Sequence, residues 1–359
     1  MSAHVTHEKM KHPHGDKLCR PMHKLELIKQ GLSWPGKQRT LHVSRVPLVF
    51  REPYVATGYR PPDKPWSYYL VSVCELHNES VNVWTHLLAF VAVLAQLYRL
   101  SGRVHLTQHK DAQTLIGFSV GCLLNTLLSA AAHLLHSKSA WWHYVWFLID
   151  YAGVTYYSFA TVLGCVYVSS HPLVYSVIEP CVLPINIALS SFGFLTCCLA
   201  KLRFSDPYQP QRQRLMVAGL GVQALVGASP VLARFVHCLH DDHCSLSSLN
   251  HISVVFLLLA VCAVTFSAHL PEKLWVGQFD LFGQGHQIFH VVSMVTMVME
   301  LEGMYIDIKN GAAQHTSPDL KKMLAAYLVL VIIHVAILVS LKGHIQNKVN
   351  DVLEHIKDE

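Results

Sequence analysis

Charge is what this chain has least of. Asp, Glu, Lys and Arg make up 14% of its 359 residues, against roughly 25% in an average soluble protein. So few charges do not cover the surface of a water-soluble domain of this size. Bulk disorder is excluded as well, because it needs low hydrophobicity and high net charge. Here 52% of residues are hydrophobic and the mean hydropathy is +0.32. The 10 cysteines are scattered over a long chain, mostly inside apolar runs, which argues against a disulfide scaffold. No internal repeat or long low-complexity tract is present, and no signal peptide is expected, since the first long apolar stretch begins near Val81. The class left is an all-α polytopic membrane protein.

A helix crossing the bilayer core needs about 20 apolar residues. Eight stretches qualify: Ser80–Leu100, Ala112–His136, Trp142–Val168, Val174–Leu199, Leu215–His237, Leu249–His269, His286–Glu302 and Met323–Leu341. The seventh is the most polar, opening on two histidines and closing on Glu300 and Glu302. Pro180, Pro184 and Pro230 fall inside spans and are expected to kink them. This divides the chain into an N-terminal arm (1–79), an eight-span domain (80–341) and a tail (342–359).

The net charge is +5, and residues 1–64 hold 12 Lys/Arg against 5 Asp/Glu. A basic arm suits an anionic cytoplasmic membrane surface better than nucleic acid. Lys/Arg counts place both termini inside, although the loops between spans do not vote. The arm carries His4, His7, His12 and His14, either a metal-binding tail or a disordered one. Leu18, Met22, Leu25, Ile28 and Leu32 then recur at helical spacing, as on an interfacial amphipathic helix; Ile345, Val349, Val352 and Ile356 repeat the pattern in the tail.

Ionisable groups inside a membrane are costly and mark functional sites. Span two ends on Ser129-x-x-x-His133, span three carries Asp150, and span seven opens on His286-x-x-x-His290. Spacing of four puts each pair on one helix face. With the N-terminus inside, all five side chains approach one leaflet. Three histidines with an open position suit a catalytic zinc. Asp150 would orient a ligand or act as general base, and Ser129 would hydrogen-bond a water or a carbonyl. A Ser–His pair without metal would leave His286 and His290 unexplained, and His334, alone in the last span, reads as a packing contact. A second cluster, Glu79-x-x-Asn82-x-x-x-His86, shares one face at the start of span one and reads as interhelical hydrogen bonding.

Cys238 and Cys244 flank Leu-His-Asp-Asp-His in an outside loop. A disulfide, a zinc site with His240 and His243, and plain packing all remain open there. Cys197 and Cys198 end span four on the inside, where palmitoylation or small apolar packing applies. Lys201, Arg203, Arg212 and Arg214 form a basic inside loop that either meets an effector or simply obeys the positive-inside rule.

Together, Phe50-Arg-Glu-Pro-Tyr-Val-Ala-Thr-Gly-Tyr-Arg-Pro61, His77-Asn-Glu-Ser-Val-Asn-Val-Trp-Thr-His-Leu87, Ser129-x-x-x-His133 with Asp150, and Gly285-His-Gln-Ile-Phe-His290 resemble the progestin and adipoQ receptor family, from about Phe50 to Asp307. The apparent eighth span and the Phe50–Pro61 segment are closer to its membrane progestin receptor branch than to its adiponectin receptor branch. The resemblance implies a seven-helix adiponectin-receptor-like core plus an eighth C-terminal helix, with a cytoplasmic N-terminus. It implies zinc on His133, His286 and His290, with Asp150 and Ser129 beside it. In the adiponectin branch that site is linked to ceramide hydrolysis. In the progestin branch the implied activity is binding of progesterone or a related steroid with rapid, non-genomic signalling at the plasma membrane, including inhibitory heterotrimeric G proteins. The expected function is therefore a steroid receptor in contact with membrane lipid and without a nucleic-acid partner. The alternative is a zinc-dependent, ceramidase-like amide hydrolase.

Overall fold

The computed structural model describes residues 40–204, 209–312 and 317–358, so the histidine-rich and amphipathic parts of the arm lie outside the described residues. Eight long helices account for all eight expected spans: α1 Ser80–Ser101, α2 Lys110–Leu135, α3 Ala140–Tyr167, α4 Pro172–Arg203, α5 Pro210–His240, α6 Asn250–Ala268, α7 Gly285–Lys309 and α8 Leu320–Asp358. Strands are missing among the described residues; an isolated bridge, Leu41 with Tyr59, precedes the bundle. Starts follow local chemistry. Ser139 accepts a hydrogen bond from the Trp142 amide at the head of α3, and Pro172 and Pro210 occupy the first turns of α4 and α5.

Six of the eight helices are long and apolar enough to cross a membrane by length and composition. The exceptions are α3 and α7, which carry aromatic hydroxyls, histidines and carboxylates. Helix α3 packs against α2, α4, α5, α7 and α8, so its polar groups face protein. Helix α7 packs between α1, α2 and α6. Glu300 accepts a hydrogen bond from the Tyr157 hydroxyl at 2.6 Å, and Glu302 pairs with Arg99 and takes the Gln96 amide at 2.8 Å. These partners let α7 run past both glutamates instead of stopping there. The outward faces are apolar: Val91, Leu225, Leu257, Leu328, Ile332 and Val339 are all exposed. A belt of that kind belongs against lipid.

The internal prolines are accommodated within continuous helices. Pro230 has no N–H for the carbonyl of Val226, and the Ser229 hydroxyl donates to that oxygen instead, at 2.9 Å. Near these prolines α3, α4 and α5 leave a cavity of about 240 Å³, lined mostly by aliphatic side chains together with Asn186 and Ser229.

Helix α8 does not end where the apolar run does. It continues as one helix to Asp358, and the stripe Ile345, Val349 and Val352 packs on the core. The amphipathic tail is thus the last turns of α8; the side chain of Ile356 lies outside the described ones. The helix packs across α2, α3 and α4, and His334 is stacked between Tyr156 and Phe194.

At the far end from the helix starts of α1, α3 and α7, Cys238 and Cys244 form a disulfide, which removes both thiols from any metal set there. Arg234 grips Asp307 through both guanidinium nitrogens, at 2.9 and 3.0 Å, and His251 meets the same carboxylate at 3.0 Å. Cys197 and Cys198 are fully buried, so packing, not acylation, accounts for them.

Small residues set the closest helix contact. A methyl group on Gly121 of α2 would stand 2.5 Å from the Tyr156 carbonyl oxygen and 2.6 Å from the Ala160 methyl of α3. Gly121→Ala should destabilise the purified protein by about 1–3 kcal/mol. Gly221→Ala on α5, where the added methyl meets nothing within 4 Å, should be neutral or slightly stabilising. Melting of both variants in detergent, beside the parent, checks this.

Candidate functional site

The segment before α1 closes one end of the bundle. Asp280, in the loop before α7, accepts hydrogen bonds from the Ala56 amide at 2.9 Å and the Thr57 hydroxyl at 2.6 Å. Gly58 follows with φ +92°, and a side chain there would press within 3.0 Å of the Asn78 amide nitrogen. Arg60 comes next. Its guanidinium donates to the carbonyls of His133 and Leu134, at 2.7 and 2.5 Å, and to the hydroxyls of Ser72 and Ser137, at 2.9 and 3.3 Å. A cation on the last carbonyls of α2 also complements the helix dipole. Burial draws this guanidinium down to about 10, with nearby Glu79 opposing the shift, so it stays charged at neutral pH.

The helix starts beside it are equally constrained. The Gly285 amide at the head of α7 donates to Glu272 at 2.7 Å, and a methyl on Gly285 would lie 2.7 Å from the Leu270 carbonyl oxygen. Gln284 and Gln287 form a reciprocal capping box. At the head of α1 the Ser80 hydroxyl accepts the His77 amide and donates to the Glu75 carbonyl, at 2.8 and 2.7 Å. Glu79 donates its amide to His77 Nδ1 at 3.1 Å.

Four histidines meet inside this frame. One ring nitrogen of each of His86, His133 and His290 lies within 4.8 Å of the others, and all three are buried. The His286 ring centroid is 4.3 Å from that of His290 and 5.4 Å from that of His133. The fold therefore brings together His133, His286 and His290 from α2 and α7, and adds His86 of α1. Asp150 lies near Ser129 of the neighbouring helix, and its Oδ1 is buried without a partner.

Glu79 organises the ring nitrogens. Its Oε2 accepts from His133 Nδ1 at 2.8 Å and from Asn82 Nδ2 at 2.7 Å. Because the carboxylate only accepts, the proton of neutral His133 sits on Nδ1. Its Nε2 then has a bare lone pair, buried and unpartnered. This is how an outer carboxylate prepares a histidine for a cation. His86 Nε2 is likewise buried and unpartnered, whereas His290 Nδ1 is 3.4 Å from the Thr85 hydroxyl.

A polar chain leads away from Glu79. Lys201 Nζ donates to His143 Nε2 at 3.0 Å, which places the His143 proton on Nδ1, 3.2 Å from His136 Nδ1. The remaining His136 nitrogen lies 3.9 Å from Glu79 Oε1. Lys201 is thus spent inside the bundle, with the Phe147 ring beneath it at 4.5 Å. It does not belong to an exposed basic loop with Arg203 and Arg214.

The spacing of Glu79, Asn82 and His86 in the sequence suggested a shared face but not its target. Glu79 and His133 are 54 residues apart. The contributions of His136 and His143 carry no sequence signal beyond the presence of polar residues beside apolar runs, and Arg60, although inside the Phe50–Pro61 segment, carries none that names its partners.

Residues 74–301 match a family described as Haemolysin-III related. A Danio rerio protein named Membrane progestin receptor alpha-B is 34% identical over 278 residues, covering 77% of this chain and 78% of its own. Human Membrane progestin receptor beta is 34% identical over 283 residues, 79% of each chain. Human Membrane progestin receptor alpha is 33% identical over 269 residues, 75% of this chain and 77% of its own.

Arg60→Met should cost about 3 kcal/mol or more, since four buried oxygens lose their donor. Arg60→Lys should recover only part of it, because an ammonium cannot fork between two carbonyls. Equal melting temperatures for all three proteins would contradict this role.

Proposed function

The chain belongs to the Haemolysin-III related family, and we propose that it is a membrane receptor for progesterone or a related steroid, signalling from the plasma membrane with both termini cytoplasmic. The observation that carries this is the likeness to proteins named membrane progestin receptors, across more than three quarters of the chain. A steroid of this type is flat, apolar and tipped with carbonyls. The cavity between α3, α4 and α5, apolar but for Asn186 and Ser229, is space of that chemical kind.

Orientation has two supports. The basic arm favours the cytoplasmic side. The Cys238–Cys244 disulfide lies at the opposite end from the histidines, and disulfides persist on the oxidising side of a membrane. An inhibitory heterotrimeric G protein would meet the histidine end, where Arg203 and Arg214 are exposed.

His133, His286 and His290 would hold zinc, and the residues fit it. His133 Nε2 is buried and partnerless while Glu79 fixes the opposite nitrogen. Bound there, zinc supplies a fixed positive charge that ties α2 to α7. The amide-hydrolase alternative uses the same histidines with Asp150 and Ser129, but the relatives' names speak for a receptor.

Membranes from cells expressing the chain should bind labelled progesterone saturably, with nanomolar affinity. Absence of specific binding at full surface expression would overturn the receptor reading. Separately, Glu79→Gln should weaken zinc retention about 10–100-fold in a chelator competition, because the neutral amide no longer pins the His133 tautomer.

A further inference from the structure

The geometry points to a separate cation site at the disulfide end of the bundle: we propose that His171 and His237 together bind a divalent transition-metal ion, zinc or copper, from the outside solution, and that this ion clasps the start of α4 to the end of α5. The outside placement rests on the orientation given above, and the effect on ligand rests on the receptor reading.

The two imidazoles come from different helices and lie against each other. Their ring centroids are 4.7 Å apart, with the planes tilted by 42°. Two imidazoles on one tetrahedral zinc, with bonds of about 2.0–2.1 Å, set their centroids about 5 Å apart. No hydrogen bond engages either ring among the described residues. His237 is exposed and His171 half-buried, so apolar packing gains little from the pair, and both rings are open to an ion from solution. Imidazole is a common ligand for zinc and copper.

The backbone under each ring is held in place. The His171 amide donates to the Pro230 carbonyl at 3.1 Å, and the His171 carbonyl accepts from the Tyr175 amide at 2.9 Å in the first turn of α4. Two residues earlier, the Ser169 carbonyl accepts from Arg234 at 3.1 Å. Pro230, Arg234 and His237 follow at spacings of four and three along one face of α5. That face is a ladder for the incoming chain, and His237 is its last rung. The next residue, Cys238, is tied to Cys244. Both ligands therefore start from fixed positions, as a metal site requires. The charge of Arg234 does not stand in the way, because Asp307 takes both of its terminal nitrogens, at 2.9 and 3.0 Å.

The position gives the ion a lever. The cavity between α3, α4 and α5 is lined by Val177, Ile178 and Cys181 of α4 and by Val226 and Ser229 of α5. Pro230, which receives the His171 amide, adjoins Ser229. This cavity keeps its walls only while α4 lies against α5. An ion joining the two helices favours that state, and so does a steroid filling the space between them. Ion and steroid then strengthen each other, by about 5-fold or more, and linkage makes the effect reciprocal.

The test uses the full chain in detergent, saturated with zinc, desalted, and given one equivalent of copper(II), which outcompetes zinc for imidazole. The electron paramagnetic resonance spectrum should show splitting from two imidazole nitrogens. His171→Asn and His237→Gln should each lose that pattern and the copper affinity that goes with it. Both positions reach the surface, so both variants should melt with the parent, which separates ligand loss from misfolding. A wild-type spectrum with fewer than two imidazoles, or one copper affinity shared by all three proteins, would overturn the site. In membranes, added zinc should tighten labelled progesterone about 5-fold for the wild type and for neither variant. Copper held by the pair with progesterone affinity indifferent to zinc would overturn the clasp and leave the cation site standing. A chain that binds no progesterone fails the receptor reading instead, and the copper spectra still decide the cation site.

Discussion

The hydrogen bond from His133 to Glu79 is the contact on which the rest of the site depends. It joins the start of α1 to the end of α2 in a place closed to water. There an unpaired carboxylate is expensive, so every polar group around it is arranged to satisfy it. Asn82 donates from the same helix and His133 from the next one. The His136–His143–Lys201 chain brings donors toward it from α3 and α4. Glu79 thereby sets the tautomer of His133, whose Nε2 is left bare, while Lys201 sets that of His143.

The cap before α1 is the counterpart of that core. Arg60 holds the end of α2 and Asp280 holds the cap to the loop before α7. The two helices that bring His133, His286 and His290 are therefore positioned by one short extended segment. Gly58 and Gly285 allow it, each where backbone from another segment comes too near for a side chain. This ties the Phe50–Pro61 segment, outside every span, to the histidine motifs. It is part of the same closed end.

The polar helices sit where polarity is affordable. Helix α3 is surrounded by five others, and the carboxylates of α7 find Tyr157, Arg99, Arg103 and Arg234. Of the six strongly apolar helices, α6 is the least enclosed by protein. Hydropathy along such a chain tracks what each helix faces, so a polar span signals a protein-facing one.

Much of this was legible from residues alone. Eight apolar stretches became eight helices, because length and apolarity are local properties set by the bilayer. The i, i+4 spacing of Ser129 with His133 and of His286 with His290 placed each pair on one face, because helical geometry is local too. What the sequence could not supply was the partner of each polar group. That Glu79 meets His133, that His86 joins the cluster, and that Lys201 is buried against His143 all depend on how separate helices pack. So does the ending of α8, whose last turns are held by core contacts the apolar run does not announce. Periodicity along one helix determines which side chains share a face. Only the tertiary structure decides what that face meets, because the energy of a buried polar group is set by a partner that lies elsewhere in the chain.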